Sequence, residues 1–203
     1  MTTSAPTTPL APRDGRPDDA WRLGGPGTTA RLAAPVVGGH GLEVTFTDVL
    51  GRLVLADDGT PAAVEVRIAA ASLDTGEPRR DRHLRSAAFL DTGRYPHLCF
   101  RSRRVDPTGA GRWEVHGDLR IRDVSRPVRL QVTYTRRGRQ ATVRVGGEVD
   151  RREFGLVLNR VLERTFRIGT GLRLEAEIPA VSCAAQPEAV AWPCDTTAGA
   201  AAA

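Results

Sequence analysis

The sequence predicts an all-β protein: an antiparallel sheet of about eight strands, crossed once by a short helical segment. Three observations carry this. Apolar and polar residues alternate with period two in segment after segment, as in strands with one face buried. Turn-forming clusters separate those segments: DDGT at 57–60, DPTGAG at 106–111, RRGR at 136–139 and the glycine pair at 146–147. Helical spacing occurs once, where Leu84 and Ala88 stand one turn apart and Phe89 follows.

The elements follow in order. In VEVRI, Val64, Val66 and Ile68 share one face while Glu65 and Arg67 take the other. Past the helical stretch, Leu98 and Phe100 begin a second strand, and Trp113 and Val115 a third. GDLRIRD sets Leu119 and Ile121 against Asp118, Arg120 and Arg122, and VRLQVTYT sets Val128, Leu130, Val132 and Tyr134 against Arg129, Gln131, Thr133 and Thr135. Val143 and Val145 make a short alternation, and GLRLEAEI closes the series with Leu172, Leu174, Ala176 and Ile178 inward. Sheets with one apolar and one charged face either stack as a sandwich or close as a barrel, and alternation alone fits both.

The chain of 203 residues suits one domain with tails. Residues 1–20 and the Ala-rich stretch 182–203 lack periodicity and are expected to be disordered, leaving 21–181 as the folded unit. No apolar run approaches the roughly 18 residues that span a bilayer, and the opening twenty lack the apolar core of an export signal, so a cytoplasmic protein is expected. On that expectation Cys99, Cys183 and Cys194 are reduced, with Cys183 and Cys194 placed to pair in an oxidising compartment.

All 29 basic residues are Arg, which removes any Schiff-base or P-loop lysine. GPGTTA at 25–30 has the letters of a dinucleotide fingerprint, but Pro26, Thr28 and Thr29 spoil the helix that motif requires. His40, His83, His97 and His116 have no metal-ligand spacing, and no catalytic constellation stands out, so neither a metal, a cofactor nor an enzyme is expected. Arg101, Arg103, Arg120, Arg122, Arg129 and Arg144 project from predicted outer faces, which makes a basic module binding RNA or an acidic protein the alternative reading. It ranks second because Phe100, Trp113 and Tyr134 alternate inward, away from any base they would stack on.

The densest stretch is RRDRHLRSAAFLDTGRYPHLCFRS, residues 79–102. Asp81 between Arg80 and Arg82 reads either as a segment held by local ion pairs or as a guanidinium-rich rim for an anion. Together with Ser72-Leu73-Asp74-Thr75-Gly76 before it, this stretch resembles the signature of the YceI family of lipocalin-like, polyisoprenoid-binding proteins. GDLRIRDVSRPVRLQV resembles that family's middle strand pair, and Asp150, Arg151, Phe154 and Gly155 resemble its late motif. Trp21 and FTDVLGRLVL suit its opening strands, so the likeness spans about residues 21–181. The chain departs from the family pattern at Gly24–Thr29, where no Asp-Pro-x-His-Ser stands, and at Arg120, Asp123 and Ser125.

The resemblance implies a closed antiparallel barrel whose interior holds one long apolar chain, a polyisoprenoid or isoprenoid quinone, with no cofactor. A homodimer is compatible with it. The expected lining is Val64, Val66, Ile68, Phe100, Trp113, Leu119, Ile121, Val128, Leu130, Val132, Leu172 and Leu174. The expected head-group contacts are Arg79, Arg80, Arg82, His83 and Arg85.

Overall fold

Alternation becomes a closed wall. The computed structural model describes residues 20–25, 28–34, 42–56, 60–157 and 169–183. Its strands are β1 (Ala20–Gly24), β2 (Thr29–Ala34), β3 (Leu42–Phe46), β4 (Val49–Leu55), β5 (Pro61–Ala69), β6 (Leu73–Asp74), β7 (His97–Gly109), β8 (Arg112–Ile121), β9 (Val124–Arg137), β10 (Gln140–Asp150) and β11 (Gly171–Cys183). Antiparallel pairing runs β1-β4-β5-β7-β8-β9-β10-β11 and returns from β11 to β1, through Ala20↔Cys183 to Leu23↔Ala180. That last pairing chooses the barrel over the sandwich and gives the expected eight staves.

Two staves are broken rather than continuous. β2 continues the line of β1 along β11, pairing Thr29 with Glu177 and Ala33 with Arg173, while β3 pairs with β2 beyond the start of β4. The first break falls at Gly24, at φ +95°, where a Cβ would lie 2.0 Å from the Val49 carbonyl oxygen. Thr29 enters a strand, so the GPGTTA segment opens no helix.

Inward positions follow the period-two pattern: on β8, Trp113, Val115, Leu119 and Ile121 are buried, with Gly117 among them. Gly117 is there because a Cβ would stand 2.6 Å from the Phe100 ring and 2.4 Å from the Arg101 carbonyl oxygen.

One end of the barrel is stoppered by α1 (Pro78–Arg85) and the turns after it. The spacing of Leu84, Ala88 and Phe89 placed the helix too late. It starts earlier because Glu77 accepts from the Arg79 amide at 3.2 Å and Pro78 takes the first turn, where a missing N–H is harmless. It stops at Ser86, so Phe89 and Leu90 reach the barrel from turns.

Other expectations are also corrected. Asp81 is buried and accepts from Thr75, through the backbone N–H at 3.0 Å and the hydroxyl at 2.7 Å, rather than pairing with Arg80 or Arg82. Arg122 lies past the end of β8 in a turn at φ +58°, not on an outer strand face, and donates to the Phe89 carbonyl at 3.2 Å. Cys183 is a free thiol, so the pairing with Cys194 is absent, and Cys99 is disulfide-bonded rather than reduced. Ala20, Ser182 and Cys183, expected in the tails, are strand residues of β1 and β11, while residues 1–19 and 184–203, His40, and 57–59 of the first turn lie outside the described residues.

Candidate functional site

The barrel interior holds two chambers in series. The first lies at the end where β4–β5, β7–β8 and β9–β10 turn, and is lined from the wall by residues such as Leu53, Trp113, Leu130, Tyr134 and Val143. The second lies toward α1 and is closed by Leu84, Phe89, Leu90, Phe154 and Leu156. They share the wall residues Ala30, Ile68, Leu119 and Leu174, so the two apolar chambers lie end to end along the barrel axis. The centre of a water-sized sphere has about 100 Å³ in the first and about 80 Å³ in the second. On that measure one water needs only about 10–15 Å³, so these are not the small voids of a close-packed core.

All twelve residues expected to line a site border one or both of these chambers. Val64, Val66, Phe100, Trp113, Val128, Leu130 and Val132 line the first chamber, Ile121 and Leu172 the second, and Ile68, Leu119 and Leu174 both. Sequence reasoning missed Leu23, Val49 and Leu53 on the opening staves, although LGRLVL carries the same alternation. It also missed Phe154 and Leu156, which sit in a short turn where no periodicity exists to read.

The five expected head-group residues line neither chamber. Arg79, Arg80, Arg82 and His83 are exposed on the outer side of α1. Arg85 turns back to the barrel, donating from Nε to the Ala71 carbonyl at 3.0 Å and from Nη2 to that of Leu73. The signature residues therefore build the stopper. Ser72 Oγ donates to the Ala69 carbonyl at 2.7 Å and accepts from the Asp48 amide at 3.2 Å, while Asp74 accepts from the Gly76 amide at 2.7 Å.

The late motif seals the same end. Arg151, 2% exposed, lines the second chamber and donates to the carbonyls of Gly169 at 3.2 Å and Leu156 at 2.9 Å. Asp150 accepts from the Arg152 amide at 2.8 Å and from the Thr170 hydroxyl at 3.1 Å. Tyr134 stands beside Trp113 in the wall of the first chamber, its ring meeting Trp21 and Trp113 edge-on at centroid distances of 5.8 and 5.9 Å. Burial raises its phenol above the usual range, against a smaller lowering by Arg136.

Outside, most of the arginines of the alternative reading face carboxylates. Arg101 pairs with Glu65 at 3.1 Å, Arg129 with Glu114 at 3.6 Å and Arg144 with Glu177 at 3.2 Å, and Arg103 pairs with Asp118. Exposed pairs of this kind contribute only about 0–1 kcal/mol each to stability, yet they offset the positive field a polyanion would need. Among the described residues no group of His, Cys, Asp and Glu is placed to hold a metal ion, and no helix is long and apolar enough to cross a membrane.

Comparison with known proteins agrees with this architecture. Protein YceI of Escherichia coli O157:H7 is 42% identical over 89 residues, 43% of this chain and 46% of that protein, so the match spans about half the relative's length. BcnA of Burkholderia cenocepacia superposes with a TM-score of 0.68 at 16% identity, covering 75% of this chain and 95% of its own. A polyisoprenoid binding domain from Saccharophagus degradans, implicated in plant cell wall breakdown, gives 0.66 at 14% identity over 80% of this chain and 98% of its own. At those identities the likeness is one of fold. The model of the YceI-like domain matches residues 27–180, well over half of the chain, and the protein belongs to the YceI family.

Proposed function

We propose that the chain binds an isoprenoid or a similar long apolar lipid inside the barrel, acting as a carrier, store or sensor of it and not as an enzyme. The observation that carries this reading is the barrel interior itself: two apolar chambers end to end, walled by eight staves and stoppered by the α1 segment. Apolar cavities of this kind stay dry and accept apolar guests. Each CH2 buried there contributes about 0.8 kcal/mol before ordering losses, so a prenyl chain needs no polar contact to bind. The neighbour described as a polyisoprenoid binding domain supports the same ligand class.

The test compares two adjacent residues of β9. Leu130 is buried and lines the first chamber, whereas Arg129 points outward. Leu130→Arg is expected to abolish retention of a radiolabelled prenyl alcohol while Arg129→Gln retains it, with circular dichroism establishing that both variants are folded. Equal retention by two folded variants would place the lipid elsewhere or nowhere.

A further inference from the structure

The arginines of this chain divide by what they face. On the barrel wall, Arg103, Arg129 and Arg144 stand beside Asp118, Glu114 and Glu177. On α1, Arg79, Arg80 and Arg82 make no ion pair or side-chain hydrogen bond among the described residues. The helix turns their acid away from them: Asp81 and Leu84, three positions apart, face inward and are buried, while Arg79, Arg80, Arg82 and His83 are exposed. The carboxylates just before the helix accept from backbone amides, Asp74 from Gly76 at 2.7 Å and Glu77 from Arg79 at 3.2 Å. Asp91, Asp123 and Glu153 also stand toward this end of the barrel, and none of them pairs with these arginines. Arg94 adds a fourth exposed guanidinium, 5.2 Å from the centre of the half-buried Tyr95 ring, on the turn that packs on α1 through the Thr92 amide and the Arg85 carbonyl at 3.1 Å.

We propose that the outer face of α1 is a docking surface for an anionic lipid bilayer, which sets the stoppered end of the barrel against the membrane. This rests on the reading of the barrel as an isoprenoid site and adds the surface at which the ligand is collected or delivered. Guanidinium groups without a carboxylate partner are ready to take the phosphates of lipid head groups. Two observations favour a bilayer over another polyanion. The arginines sit on the segment that closes the second chamber through Leu84, Phe89 and Leu90, so docking brings the apolar interior up to the phase in which prenyl lipids dissolve. Tyr95, half-buried beside Arg94, suits the boundary between head groups and acyl chains, whereas among the described residues no aromatic side chain is exposed for a base to stack on. Each arginine near an anionic surface strengthens attachment about fivefold, so three or four give a contact that is real but reversible.

The experiment measures co-sedimentation of the full chain with vesicles of phosphatidylcholine alone and of phosphatidylcholine with one-third phosphatidylglycerol. Two triple variants are compared, Arg79→Gln with Arg80→Gln and Arg82→Gln on α1, and Arg103→Gln with Arg129→Gln and Arg144→Gln on the wall, which remove the same charge from different places. The wild type is expected to sediment with the anionic vesicles only. The α1 triple is expected to weaken that binding by about a hundredfold and the wall triple by a few-fold at most. Equal losses in the two triples, equal binding of the wild type to both kinds of vesicle, or its transfer from the anionic vesicles to single-stranded RNA at the same phosphate concentration would overturn the docking surface. Retention of a radiolabelled prenyl alcohol in vesicle-free solution separates the two readings, and the α1 triple is expected to retain it as the wild type does. A wild type that retains the alcohol but ignores anionic vesicles leaves the isoprenoid site standing without the docking surface, and one that retains none removes the isoprenoid reading and the purpose of docking with it.

Discussion

Asp81 and Thr75 are joined twice, through the Thr75 amide at 3.0 Å and its hydroxyl at 2.7 Å, although Arg80 and Arg82 are the sequence neighbours of Asp81. The carboxylate is buried and the arginines are exposed, so this contact fixes the first turn of α1 to the rim of the barrel. Asp81→Ala leaves both donors without their acceptor and is expected to destabilise the fold by about 1–3 kcal/mol. For a chain of this size that lowers the melting temperature by about 2–4 °C per kcal/mol. Arg80→Gln is expected to change stability by no more than about 0.5 kcal/mol. A loss in the Arg80 variant as large as in the Asp81 variant would mean that ion pairs hold the segment after all.

Gly117 makes room for Phe100. With a Cβ only 2.6 Å from that ring, Gly117→Val must push the ring into the first chamber or bend β8. Overpacking of this kind costs about 1–3 kcal/mol, visible as a lower urea midpoint, and prenyl-lipid retention should fall with it. Unchanged midpoint and retention would show that the wall yields more easily than a close-packed barrel should.

His97 opens β7, where burial holds its imidazole below the usual range, aided by Arg67 and opposed by Asp48. The folded protein then binds fewer protons than the unfolded chain once the pH falls below about 6.5. Stability is accordingly expected to drop as the pH falls through that value toward the depressed one, and His97→Gln to flatten this limb of the curve. Superimposable acid limbs for the two proteins would rule out His97 as its source.

Paired outer arginines make poor phosphate contacts. With Arg101, Arg103, Arg129 and Arg144 each beside a carboxylate, a gel-retardation series with single-stranded RNA is expected to give weak binding that carries no steep salt slope. Tight binding that collapses between low and moderate salt would restore the basic-surface reading.

The barrel wall was legible because alternation is a local pattern. Val128, Leu130 and Val132 announce their face within five residues, and the first chamber borders them. The stopper was not legible to the same degree. Asp81 meets Thr75, Arg85 meets Ala71 and Leu73, and Arg122 meets Phe89 across 33 positions, and charge adjacency in the sequence points instead to the wrong partners. Tyr134 was legible as an inward residue, but its edge-on packing against Trp21 and Trp113 is a property of the assembled barrel, where strands β8 and β9 and the β1 tryptophan come together.

The most direct test of the central claim is native mass spectrometry of the purified full chain, before and after incubation with prenyl lipids, followed by solvent extraction and identification of what dissociates. An isoprenoid site predicts a discrete added mass that extracts as a prenyl lipid and is displaced by an excess of another. A chain that stays at its bare mass after incubation would contradict it.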